Sequence, residues 1–129
     1  MNKKYELLLD QSIEVGDKKL YRVRALRDFG NVKKGDIGGY IESENNLSHD
    51  GDCWVYGNAQ VSGNAQVYEY AQVSEYARVY GDAWVSEYAR VYGYTRVYGN
   101  ARVYEHAQVY GYARVFGDVW VFGYAQVYG

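Results

Sequence analysis

Proline is absent from this chain of 129 residues, cysteine occurs once (Cys53), histidine twice (His49, His106), and no lysine follows Lys34. Threonine also occurs once, as Thr95. Each shortage excludes something. A single cysteine forms no intramolecular disulfide, which suits a reducing compartment. Two histidines cannot supply the three that a carbonic-anhydrase type of zinc site needs. A lone threonine rules out the flat threonine rows of an ice-binding surface. The net charge of -2 is neither that of a basic nucleic-acid binder nor that of an acidic tail. The opening MNKKYELLLDQ has no long apolar segment, and no later run is long enough to span a membrane. The expectation is a soluble cytoplasmic protein.

What the chain has instead is tyrosine, 17 copies of it, and a six-residue beat. From Gly51 to Tyr128 the sequence divides into hexads without a gap: GDCWVY, GNAQVS, GNAQVY, EYAQVS, EYARVY and onward to GYAQVY. Position 5 is always valine. Position 3 is alanine, with Cys53, Thr95 and Val119 as the exceptions. Residues two apart on a strand share a face, so positions 3 and 5 point inward together. Glycine or a polar residue returns at position 1, where the chain bends. Short strands, regular bends and small inward residues predict a parallel β-helix. The inward period of two, the valines and the recurring glycines argue against an amphipathic α-helix.

Position 2 gives the number of hexads per coil. Asn64, Asp82, Asn100 and Asp118 fall on one series; Tyr76, Tyr94 and Tyr112 on a second; Tyr70, Tyr88 and Tyr124 on a third. A lag of 18 residues groups like with like, which means three walls. The same phase extends back through GYIESE and NNLSHD, with Ile41 and Leu47 at position 3, His49 in the valine position and Asn46 heading the Asn/Asp series. The expected architecture is all-β: a triangular β-helix over residues 39–129, of about five coils and ~24 Å in height at one strand spacing per coil. Residues 1–38, with the Gly16-Asp17 turn of EVGDKK between two alternating segments, form an N-terminal β-hairpin cap over the edge of the first coil.

The hexad GNARVY resembles the hexapeptide repeat of left-handed β-helix proteins. The stretch YRVRALRDFGNVKKGDIGGYIESENNLSHDGDCWVYGNA resembles the N-terminal cap of phage- and prophage-associated hexapeptide-repeat proteins, of the kind labelled transferases. The resemblance implies a left-handed coil. It also implies a phage or prophage accessory protein, acting in the host cytoplasm if phage-encoded. A transferase label inherited from a fold says little about chemistry.

Catalytic residues do not emerge. Hexapeptide-repeat acyltransferases use a histidine base beside an inserted loop. Here no loop interrupts the hexads, and His106 falls in an outward row between Tyr88 and Tyr124, which predicts a stacking role. Cys53 aligns with the alanines and reads as a core residue. Asn and Asp at the corners are turn chemistry rather than calcium ligands. No catalytic, cofactor or metal-binding residue is expected.

The surface is more informative. Arg78, Arg96 and Arg114 stack in one outward row beside Tyr76, Tyr94 and Tyr112, with Glu75 placed to pair with Arg78. Arginine and tyrosine dominate protein-binding hot spots. The expected function is therefore non-catalytic: the Tyr/Arg face binds a host protein, in a role such as inhibition of a host defence system. A degenerate acyltransferase and a self-assembling structural protein are the alternatives. Single-stranded nucleic acid is a weaker reading, because five arginines face seven acids in the repeat. Finally, Phe116, Val119, Trp120, Phe122 and Tyr128 enrich the last coil in apolar side chains. They predict a homodimer joined through that coil.

Overall fold

The computed structural model describes residues 3–129, so Met1 and Asn2 of the expected cap lie outside the described residues. The chain opens with an antiparallel hairpin, β1 (Tyr5–Val15) and β2 (Lys18–Ala25), followed by β3 (Ile37–Ile41). Thirteen short strands follow, and they build three parallel walls. Wall 1 contains β4 (Trp54–Val55), β7 (Gln72–Val73), β10 (Arg90–Val91), β13 (Gln108–Tyr110) and β16 (Gln126–Tyr128). Wall 2 contains β3, β5 (Gln60–Val61), β8 (Arg78–Val79), β11 (Arg96–Val97) and β14 (Arg114–Val115). Wall 3 contains β6 (Gln66–Val67), β9 (Trp84–Val85), β12 (Arg102–Val103) and β15 (Trp120–Val121). The chain is an all-β parallel β-solenoid of about 18 residues per turn and about five turns, as the lag of like residues predicts.

The inward positions close the core. Ala83 and Val85 are fully buried, while Trp84 between them faces outward. Each buried valine contributes about 1.5–2 kcal/mol of transfer free energy. Alanine at position 3 lets three walls approach. The backbone satisfies itself between coils. The position 4 amide of Gln60 donates to Ala77 O at 2.9 Å, the position 6 amide of Ser62 to Val79 O at 3.0 Å, and the position 2 amide of Asn64 to Gly81 O at 2.8 Å.

Position 1 is left out of this ladder, and it is also where the backbone turns left-handed. Gly51 shows why glycine suits it: φ is 73°, and a Cβ there would run into the Glu69 carbonyl. Yet Glu69, Glu75, Glu87 and Glu105 hold the same conformation, with φ of 58–61°. A side chain there costs about 1 kcal/mol. In one column the carboxylates offset it. Glu69 Oε1 accepts the Glu87 amide at 3.3 Å, Glu87 Oε2 the Glu105 amide at 3.3 Å, and Glu105 Oε1 the Gly123 amide at 3.0 Å. The glutamates thus serve the amides that the regular ladder omits.

The first coil departs from the expected phase. Ile41 pairs with Val61, and Leu47 bridges to Val67, so both stand at position 5 rather than position 3. The phase reaches that of the hexads by β4, where Val55 pairs with Val73. The two-residue slip therefore lies between Leu47 and Trp54. It also removes Asn46 from the Asn/Asp corner series. Asn46 is buried: its Oδ1 accepts the amides of Glu42 and Ser43, and its Nδ2 donates to Gly63 O and Ala65 O. His49 does not take a valine's place. Its ring stacks 4.1 Å from Tyr5 and contacts Glu44 Oε1 at 2.7 Å.

The hairpin continues wall 2 upward, β2 pairing with β3 antiparallel. β3 therefore serves both cap and coil. Two buried side chains complete the closure. Lys4 Nζ donates to Cys53 O at 2.7 Å and Gly51 O at 3.2 Å, and the Tyr5 hydroxyl donates to Leu47 O at 2.7 Å. Burial lowers the Lys4 pKa and raises that of Tyr5.

Candidate functional site

Wall 2 brings the expected surface together. Arg78 pairs in register with Arg96, and Arg96 with Arg114, one layer apart. Beside them Tyr76, Tyr94 and Tyr112 stack as a ladder, with ring centroids 5.0 and 5.2 Å apart and planes within 9°. All three tyrosines are more than half exposed. A groove of about 560 Å³ runs between the two columns. Both columns stand on a backbone bonded above and below, so the side chains are presented at fixed spacing.

One local expectation does not hold. Glu75 does not pair with Arg78; among the described residues no arginine of the coils forms an ion pair. Glu75 sits on a corner at φ 61°, off the strand that carries Arg78, and the three-residue spacing does not bring the charges together. Among the described residues the tyrosines make no cation–π contact with this row. That contact forms elsewhere: Arg102 lies 4.3 Å over Trp84 and 5.8 Å from Trp120 on wall 3. The arginine row of wall 2 therefore carries three like charges at strand spacing with no internal counter-charge, an arrangement that costs stability.

The other positions follow the hexad pattern. His106 stacks between Tyr88 and Tyr124, at 5.1 and 4.9 Å. Cys53 is buried, as the alanines of its position are, but its sulfur also receives Lys4 Nζ at 3.4 Å, and burial raises its pKa. Among the described residues no group of three His, Cys, Asp or Glu is arranged to hold a metal ion. In the last coil Phe116, Val119, Trp120, Phe122 and Tyr128 are all exposed.

Charge and tyrosine content alone leave out the wall 3 surface. There Trp84, Arg102 and Trp120 form one column, and Tyr68, Ser86, Tyr104 and Phe122 form the next. The signal was available in the same 18-residue lag, read at positions 4 and 6.

Residues 59–75, 77–93, 96–111 and 107–123 match the family model described as the YdcK beta solenoid repeat. No curated protein matches the chain.

Proposed function

Taking as premise that the coils belong to the YdcK beta-solenoid repeat family, we propose that the chain is a non-catalytic recognition protein that engages another protein through wall 2. The observation that carries this reading is the unneutralised column Arg78, Arg96 and Arg114 beside the exposed ladder Tyr76, Tyr94 and Tyr112. A surface that bears a repulsive charge row without an internal partner gains free energy when an acidic partner covers it. Rigid tyrosines add contact area at little entropic cost. The setting proposed for this activity is a phage or prophage accessory protein that binds a host protein in the host cytoplasm and blocks a defence function. That setting rests on the resemblance of the leading stretch of sequence.

The same reading gives the apolar side chains Phe116, Val119, Trp120, Phe122 and Tyr128 to a contact with a second copy, supported by their joint exposure. Light scattering at micromolar concentration should then report twice the chain mass, and Phe122→Glu should halve it. A monomer, or a dimer indifferent to Phe122→Glu, removes this part.

The platform itself is tested by comparing what wild type, Arg96→Glu and Arg90→Glu proteins retain from host lysate. Arg90 is exposed on wall 1 and is a cleaner control than Arg102, whose guanidinium is stacked on Trp84. The reading expects Arg96→Glu to lose a partner that Arg90→Glu keeps.

A further inference from the structure

The outward ladders of the coils run with one ring per layer. Tyr80, Tyr98 and Phe116 stack at 4.9 and 5.2 Å, and Tyr92, Tyr110 and Tyr128 at 5.2 Å throughout. On wall 3 the corresponding column is Tyr68, Ser86, Tyr104, Phe122. Tyr104 and Phe122 stack at 5.4 Å, but the rung between Tyr68 and Tyr104 is missing. Two layers separate those rings, about 10 Å. Tyr68 packs edge-to-face with Trp84, with centroids 6.2 Å apart and planes at 81°, and the space left beside Ser86 has room for one planar group.

The vacancy has a built lining. A cavity of about 230 Å³ is bounded by Tyr68, Tyr104, Trp84, Ser86, Glu69 and Glu87, with Arg102 and Trp120 at its lower edge. Ser86 is 6% exposed, and its hydroxyl has no hydrogen-bond partner among the described residues. The carboxylates at the rim are already positioned. Glu69 uses Oε1 and Glu87 uses Oε2 to accept an amide from the coil below, which leaves one oxygen of each free to accept again. Two carboxylates against the one guanidinium of Arg102 leave the cavity with a net negative charge.

We propose that the missing rung at Ser86 is a receptor for one arginine side chain of a partner protein. A guanidinium is the group that meets every feature. It is planar, so it fits against the aromatic rings that line the cavity, Tyr68, Trp84 and Tyr104. It is cationic, matching the two glutamates. Its donors lie in its own plane and reach acceptors at the rim while its face lies against a ring. A neutral ring fills the gap but leaves the carboxylates unanswered. An ammonium is compact and does not fill a flat slot. The chain uses related chemistry internally: Arg22 lies 4.3 Å over Tyr40 and donates to Gly38 O, Gly57 O and Asn58 Oδ1. The other interruption, Ser74 between Tyr56 and Tyr92, has Glu75 alone on its corner, between Gly57 and Gly93, and lacks this paired rim.

This site is independent of the wall 2 platform and is tested without it. N-acetyl-arginine methylamide is titrated into the full chain, with shifts read by NMR at Tyr68, Trp84 and Tyr104. Saturable binding is expected, with a dissociation constant of the order of 1 mM. The lysine and citrulline analogues should bind at least fivefold more weakly. Ser86→Tyr supplies the missing rung and should weaken arginine binding at least tenfold. Should that variant fold poorly, Glu69→Gln/Glu87→Gln retains acceptors for the backbone amides, removes the charge, and should weaken binding to the same degree. No saturable shift with wild type, equal binding of citrulline or lysine, or undiminished binding by the folded variants would each overturn the proposal.

Discussion

Residues 3–50 and residues 51–129 meet at a single layer, yet they close their hydrogen bonds by different chemistry. The first region uses individual side chains. Lys4 and Tyr5 bind carbonyls of the first coil, Asn46 makes four bonds by itself, and His49 joins Tyr5 to Glu44. All the ion pairs among the described residues lie in this region, Arg24 with Glu6 and Lys18 with Glu42 included. The second region repeats one arrangement: valine and alanine inside, backbone ladders between layers, stacked rings outside, and no ion pair. In the cap, each stabilising contact depends on one particular side chain. In the coils, stability comes from a pattern that any layer can supply. The outward positions there are consequently free to carry a binding surface, at the cost of unneutralised arginines.

The largest expected effect comes from placing a charge inside the pattern. Val85→Asp leaves an unpaired buried carboxylate, which costs several kcal/mol. No soluble folded protein is expected, while Trp84→Ala, one residue away but outward, should shift the melting temperature little. A folded Val85→Asp variant would mean that the register is wrong.

Next in size is the loss of a single cap residue. Asn46→Ala leaves the Ser43 amide and the Gly63 and Ala65 carbonyls short of their partner, while the Glu42 amide keeps Val61 O, and should destabilise by about 3 kcal/mol. Hydrogen exchange localises the loss. The Ser43 amide should lose protection, whereas that of Gln108 should not. Uniform loss across all coils would mean that cap and coils unfold as one unit.

The alkaline limit separates the regions by titration. Burial raises the Tyr5 pKa, so the unfolded chain releases that proton at about pH 10 while the folded chain retains it. Its contribution is present at lower pH and is lost above that point. Cys53, also raised by burial, acts in the same direction from about pH 8.5. Lys4 opposes them: its lowered pKa makes the unfolded chain the better proton binder, so its contribution improves as pH rises towards 10.4. In urea titrations from pH 8 to 11, Tyr5→Phe should lose less stability than wild type. Parallel curves would remove Tyr5 from the account.

The smallest effect sharpens the picture of the coil interior. Thr95 stands among the position 3 alanines, and its buried hydroxyl has no partner. Thr95→Val keeps the shape without the polar atom and should raise stability by about 1 kcal/mol. A loss of similar size would indicate that the hydroxyl is satisfied in solution.

The walls were legible in the sequence because a β-solenoid writes its period into composition: the tyrosine and Asn/Asp series at position 2 separate only at a lag of 18. The slip in the first coil was not legible for a reason of the same kind. Side chains alternate with a period of two, so moving Ile41 or Leu47 by two residues keeps each facing inward. What distinguishes the two phases is the pairing of Ile41 with Val61 and Leu47 with Val67 and the four bonds of Asn46, all of them tertiary contacts. The arginine row could be read from the lag alone. The failure of Glu75 to pair could not, because it depends on the left-handed corner. The vacancy at Ser86 shows as one small residue in an aromatic column, but its carboxylate rim depends on the bonds that hold Glu69 and Glu87.

The central claim is that wall 2 is the recognition face, and it rests on the charge of one column. The most direct measurement is quantitative comparison of the proteins retained from host lysate by wild type, Arg96→Glu and Arg90→Glu, after circular dichroism has shown equal folding. At least a tenfold loss of one defined partner with Arg96→Glu, and retention with Arg90→Glu, is the predicted result. Equal loss from both variants would indicate general electrostatics, and equal retention by both would place recognition on another wall; either contradicts the account.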